Sequence, residues 1–169
     1  MNIYLDIDGV ILGTKSSQED IVKLIRYILE HYPDRTYWLT THCKGRVNRC
    51  AEWLKQNDFP ADLADEMDKI IKPTDWGVMK TEAIDMDQDF IWFDDSLFET
   101  ERRTLEAYYV LDDFYRMNPK DPEAAKKALE FLKERIPLKR YSFQLVMKPK
   151  IAVEPIPGRR TGIKTRDRI

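Results

Sequence analysis

Residues 3–11 read Ile-Tyr-Leu-Asp-Ile-Asp-Gly-Val-Ile, an apolar run suited to a buried strand but broken by two carboxylates and a glycine. Ser16 and Ser17 precede Glu19 and Asp20 in a capping-box pattern. Ile21, Leu24, Ile25, Ile28 and Leu29 then recur at helical spacing, which predicts an amphipathic helix of about three turns that Pro33-Asp34 stops. Thr36-Tyr37-Trp38-Leu39-Thr40-Thr41 is short and β-rich, as a second buried strand is. Val47, Cys50, Ala51 and Leu54 mark a helix ended by Asn57-Asp58-Phe59-Pro60, and Lys69-Ile70-Ile71-Lys72 predicts a short strand before Pro73. A brief helix over Lys80 to Asp85 leads to Asp89-Phe90-Ile91-Trp92-Phe93-Asp94-Asp95, a second apolar strand ending in paired carboxylates. Tyr108 to Leu111 predicts a further strand, and Asp121-Pro122-Glu123 caps a helix carrying Ala125, Ala128, Leu129 and Leu132.

This alternation predicts an α/β fold: a doubly wound, Rossmann-like, mostly parallel sheet with helices on both faces, spanning residues 1–140. Residues 141–169 are expected to form an extended segment rich in proline and basic residues. From Lys148 onward seven Lys or Arg stand against Glu154 and Asp167, so the last 22 residues carry about +5 and the rest about −7. Such an arm is a candidate contact for nucleic acid or an acidic surface, the alternative being a merely solvated tail.

Composition narrows the class. At 169 residues, 43% hydrophobic and 34% charged, the chain fits one globular domain. No apolar run approaches the ~20 residues of a membrane span, and no secretion signal opens the sequence, so a soluble, cytoplasmic protein without a membrane partner is expected. Cys43 and Cys50, seven apart on the expected helix, read as two free or buried thiols rather than a disulfide, and their spacing is not that of a zinc site.

The carboxylates carry the chemistry. Burying Asp6 and Asp8 at a strand end is costly without compensation, and Gly9 lets the chain turn there and lets a ligand approach the backbone. One carboxylate can attack an electrophile while another moves protons. In open α/β sheets ligands bind beyond the carboxyl ends of the strands, where this sequence puts Asp6 with Asp8, Thr40 with Thr41, and Asp94 with Asp95. Carboxylates gathered from two strands repel one another unless a cation lies between them, and hard oxygen ligands suit Mg²⁺. A phosphate completes the charge balance: hydroxyl and main-chain N–H groups bind its oxygens, and Lys80 stabilises charge in transfer.

Residues 3–11 (IYLDIDGVI), 37–41 (YWLTT), Lys80 in MKTEAI and 91–96 (IWFDDS) resemble the four ordered motifs of the haloacid dehalogenase superfamily. The resemblance spans roughly residues 1–135. It implies that Asp6 is the nucleophile forming an aspartyl-phosphate, Asp8 the general acid/base, Thr40 a phosphoryl contact and Lys80 the charge-stabilising lysine. It further implies Mg²⁺ held by the Asp6 carboxylate, the Asp8 main-chain carbonyl and an acid of the Asp94/Asp95 pair. Gly9 and Thr41 join Thr40 and Lys80 as substrate contacts, with Lys72 a substitute for Lys80.

Asp8 distinguishes the chain from dehalogenating relatives, which lack this acid, and from transport ATPases, which carry threonine there. The resemblance therefore implies a Mg²⁺-dependent phosphomonoester hydrolase. Thirty-one residues separate Asp8 from Thr40 and 39 separate Thr40 from Lys80, so a minimal cap is expected. Trp76 and Asp65-Glu66-Met67-Asp68 are candidates for specificity, and His42 for lining the site. The alternatives are a phosphatase acting on nucleic-acid ends and a non-catalytic phosphate- or nucleic-acid-binding module; the phosphorylated partner and the oligomeric state stay open.

Overall fold

A computed structural model describes residues 1–45 and 48–135. The predicted extended segment 141–169 and Val47 lie outside the described residues. Among the described residues five strands form one all-parallel sheet: β1 (Asn2–Leu5), β2 (Thr36–Trp38), β3 (Lys72–Pro73), β4 (Phe90–Asp94) and β5 (Phe114–Arg116), in the order β3-β2-β1-β4-β5. The described residues also form α-helices α1 (Gln18–His31), α2 (Cys50–Gln56), α3 (Ala61–Ile70), α4 (Glu99–Ala107) and α5 (Ala124–Glu134). The chain thus has an α/β architecture. Parallel strands need long crossovers, and helices supply them.

β1, at the centre of the sheet, and its neighbour β4 are buried along their whole length. This is why Ile3-Tyr4-Leu5 and Phe90-Ile91-Trp92-Phe93 are apolar without alternation. Trp38, Trp92, Phe90 and Phe93 are among the largest fully buried side chains, with Ile3, Leu5, Leu24, Ile25 and Ile28 around them. On α1 the buried set is the predicted stripe of Ile21, Leu24, Ile25, Ile28 and Leu29, and α1 packs against α5. Helices α2 and α3 pack on one another and send Leu54, Leu63 and Met67 into the core. No described helix is long and apolar enough to cross a membrane.

Helix α1 starts where the capping residues place it. Ser17 Oγ accepts from the Asp20 N–H at 3.2 Å and donates to Asp20 Oδ2 at 2.6 Å. Ser17→Ala is expected to lower stability by about 1 kcal/mol, read as a shift in the urea midpoint at constant slope.

Several boundaries differ from the sequence expectation. Pairing of β1 ends at Leu5, and residues 7–12 turn back on themselves through Ile11 and Leu12 N–H bonds to the Ile7 carbonyl. The strand from Thr36 stops at Trp38, and Thr41–Cys43 is a 3-10 turn. Lys69 and Ile70 complete α3, leaving only Lys72–Pro73 as strand, and Lys80–Ala83 is a 3-10 turn rather than an α-helix. The expected strand at Tyr108–Leu111 is not one: Tyr108 caps α4, Tyr109 has φ +58°, and Leu111 opens a 3-10 turn. The strand that pairs with β4 comes three residues later, aligning Phe114, Tyr115 and Arg116 with Trp92, Phe93 and Asp94.

Candidate active site

The site follows from strand register. Leu5 pairs with Phe93, and the Asp6 N–H donates to the Phe93 carbonyl at 3.0 Å, so the acids that end β1 and β4 lie side by side. Asp6 and Asp94 are both buried. Lys80, on its 3-10 turn, places Nζ 2.7 Å from Asp6 Oδ2 and 2.6 Å from Asp94 Oδ2. One ammonium therefore bridges the ends of two adjacent strands.

Both carboxylates are held from behind. Asp6 Oδ1 accepts from the Ile7 N–H at 2.7 Å. Asp94 Oδ1 accepts from the N–H and the hydroxyl of Ser96 at 3.0 and 3.3 Å, and its Oδ2 accepts from Trp92 Nε1 at 3.2 Å. Burial pushes the Asp94 carboxyl up to about 6 against the opposing pull of Lys80, with the Asp6 charge adding to the rise. At Lys80, burial works to lower the ammonium, yet the attraction of Asp6 and Asp94 outweighs it and the net direction is upward.

Asp95 completes an acidic trio: one carboxylate oxygen from each of Asp6, Asp94 and Asp95 lies within 4.8 Å of the other two. Such a set of hard oxygen donors fits a divalent cation. Gly9 packs against this trio because it has no side chain. Its φ is +76°, and a Cβ there would lie 2.5 Å from Asp95 Cγ. Gly9→Ala is expected to cost about 2 kcal/mol, since it combines left-handed backbone with a clash, and to displace Asp95; urea unfolding with and without Mg²⁺ measures both effects.

The Asp8 carboxylate does not join that trio. It is exposed at the mouth of the site, where His42 Nε2 donates to Oδ2 at 2.8 Å and Trp53 Nε1 donates to Oδ1 at 3.3 Å. The two rings stack with centroids 4.7 Å apart, which fixes both donors. Thr40, two residues beyond β2, is wholly buried, and its hydroxyl has no hydrogen-bond partner among the described residues. Thr41 is exposed beside it.

Other candidates have different employment. Lys72 donates to the Asp34 carbonyl at 2.7 Å and lies over the Tyr37 ring, so Lys80 is the lysine among the acids. Trp76 is buried, with the Lys44 ammonium 5.2 Å from its ring centroid. On α3, Asp65 pairs with Lys55 at 2.7 Å, Asp68 accepts from Asn48 at 3.0 Å, Glu66 lies 3.6 Å from Arg26, and Met67 is core. Cys43 and Cys50 are free and buried; a hydrogen bond between the thiols lowers Cys43 to about 6 and raises Cys50.

Two contributors carry no sequence signal. Glu101 is buried on α4 and accepts from the Lys80 N–H at 2.9 Å and the Phe98 N–H at 3.1 Å, anchoring the turn that carries the lysine. Trp53 reaches Asp8 from a helix 45 residues away. Comparison with family models, with curated proteins and with solved structures yields no match.

Proposed function

We propose that the chain is a Mg²⁺-dependent phosphomonoester hydrolase of the haloacid dehalogenase type, working through an aspartyl-phosphate. The observation that carries this reading is the Lys80 ammonium bonded at once to Asp6 and Asp94, with Asp95 beside them, at the carboxyl ends of adjacent parallel strands. Packing of α1 on α5 and of α2 on α3 favours the doubly wound arrangement that places ligands at this edge. Because α2 and α3 are spent on the core, the stretch between Thr40 and Lys80 leaves little chain for a cap.

Asp6 attacks phosphorus as the bond to the leaving-group oxygen breaks, and Asp8 gives that oxygen its proton. Asp8 then takes a proton from water as the water attacks the phosphoryl group, breaking the bond to Asp6 and releasing phosphate. His42 and Trp53 hold the Asp8 carboxyl in place at the open side, where it exchanges protons with solvent. The unpaired Thr40 hydroxyl is available to a phosphoryl oxygen, and Lys80 opposes the charge that develops there. Mg²⁺ held by Asp6, Asp94 and Asp95, with the Asp8 carbonyl, would supply further neutralisation of the phosphoryl oxygens. Hydrolysis of an aryl phosphate with and without Mg²⁺, in the parent and in Asp6→Asn, tests the assignment. Equal turnover by the two proteins would remove Asp6 as nucleophile; no turnover by the parent on a broad panel of phosphate esters would overturn the enzymatic reading.

A further inference from the structure

A cleft of about 490 Å³ opens next to Asp95 and is lined by Asp95, Arg116, Met117, Asn118, Pro119 and Lys120. Its position is set by the sheet. Arg116 ends β5 directly opposite Asp94, and the next residue, Met117, donates its N–H to the Asp94 carbonyl at 2.8 Å. The far wall is shaped locally: Asn118 Oδ1 accepts from the Lys120 N–H at 3.1 Å, and the Pro119 carbonyl accepts from the Lys15 N–H at 2.8 Å, tying this loop to the one that follows Gly9.

The cations of this cleft are unspent. Arg116 uses Nε on the Asp95 carbonyl at 3.1 Å, and among the described residues the rest of its guanidinium has no acidic partner. Nor has the Lys120 ammonium. The neighbouring carboxylates are taken by other cations: Asp121 by Lys127 at 2.6 Å, Glu123 by Lys126 at 3.1 Å, and Asp113 by Arg135 at 2.7 Å. Asp95 itself faces the proposed metal position. Arg116 and Lys120 therefore line a concavity of small-ligand size, with no anion assigned to either charge among the described residues.

We propose that this cleft is the subsite for a second anionic group, and that the substrate is a small phosphomonoester whose leaving group carries another phosphate or a carboxylate. The inference rests on the phosphatase reading: Lys80 and the acidic trio serve the transferred phosphoryl group, leaving Arg116 and Lys120 to the remainder of the substrate. Arginine suits the task because its planar fork meets two oxygens at once.

The test compares substrates that differ by one anion, fructose 1,6-bisphosphate against fructose 6-phosphate and 3-phosphoglycerate against glycerol 3-phosphate, in the presence of Mg²⁺. The two pairs separate a second phosphate from a carboxylate. The parent is expected to favour the doubly anionic member by about tenfold or more in kcat/KM, and Lys120→Ala and Arg116→Gln each to cut that ratio several-fold through KM. A ratio near one in the parent, a ratio unmoved by both substitutions, or better turnover of a 5′-phosphorylated oligonucleotide than of any doubly anionic small ester would overturn the proposal. Calorimetric binding of fructose 1,6-bisphosphate and fructose 6-phosphate to Asp6→Asn, with and without Lys120→Ala, reads the subsite independently of turnover. A parent inactive on every ester yet binding the bisphosphate through Lys120 would overturn the phosphatase reading and leave the anion subsite standing; equal binding of the two sugars would remove the subsite.

Discussion

Asp6→Asn is expected to lower Mg²⁺-dependent turnover of an aryl phosphate by about 10⁴-fold or more, the scale on which loss of a covalent nucleophile is felt. The substitution preserves shape but changes the contacts. Asp6 Oδ1 accepts from Ile7 and Oδ2 from Lys80, so an amide can satisfy only one of the two donors and turns its NH₂ toward the other. A loss of stability is therefore expected alongside the loss of activity, and thermal unfolding of the variant separates the two. Asp8→Asn provides the contrast. An aryl leaving group departs with little help from an acid, so the first step survives in part, whereas attack of water on the aspartyl-phosphate needs the base. Rapid mixing of Asp8→Asn with substrate should give a burst of one phenolate per protein followed by slow turnover, with phosphate trapped on the chain. A burst absent from Asp8→Asn but present in Asp6→Asn would reverse the two roles.

The parts of the fold legible in the sequence are those whose burial is uniform. β1 and β4 are covered throughout and read as the apolar runs Ile3-Tyr4-Leu5 and Phe90-Ile91-Trp92-Phe93; α1 buries one stripe and reads at helical spacing. Helix α4 could not be read in this way. Its buried residues are Leu105 and Glu101, and its outer face is held by Arg102 and Arg103 pairing with Glu99 within the helix, so hydrophobic periodicity had almost nothing to register. Helix α3 likewise buries only Leu63, Ala64 and Met67 among many charges. Tyr108-Tyr109-Val110-Leu111 misled for the opposite reason: the residues favour strands, but Tyr109 is exposed and left-handed where α4 ends. The meeting of Asp6, Asp94 and Lys80 was legible because two acidic strand ends and a lysine occur in a chemically sensible order. Glu101 was not, since a buried glutamate on a charged helix looks like its solvated neighbours. Arg116 has no such signal, because the β-prone residues Tyr108 to Leu111 point to a strand earlier than the one at Phe114–Arg116 that delivers it.

Lys80→Met removes the cation between two buried carboxylates, and its largest effect is expected in the metal-free protein. Asp94 has a side chain 1% exposed and Asp6 one 12% exposed, so neither charge has much water to replace the ammonium. Deleting one member of such a buried ionic group costs about 3–5 kcal/mol, which for a domain of this size lowers Tm by roughly 10 °C. Turnover should fall by about 10²–10³-fold through loss of charge stabilisation at the phosphoryl group. These two losses respond differently to Mg²⁺. A divalent cation bound to Asp6, Asp94 and Asp95 no longer shares its ligands with Lys80, so it binds the variant's carboxylates against less competition and stabilises the folded state in proportion to ln(1 + [Mg²⁺]/Kd). Saturating Mg²⁺ should therefore raise the Tm of Lys80→Met more than that of the parent without restoring its turnover, because the metal cannot occupy the place of the ammonium beside the substrate. Unfolding scans in EDTA and in Mg²⁺, paired with turnover in Mg²⁺, read both quantities. If Mg²⁺ shifts the two proteins equally, the acidic trio is not the metal site; if Lys80→Met turns over at the parent rate, Lys80 only balances the charge of the resting fold.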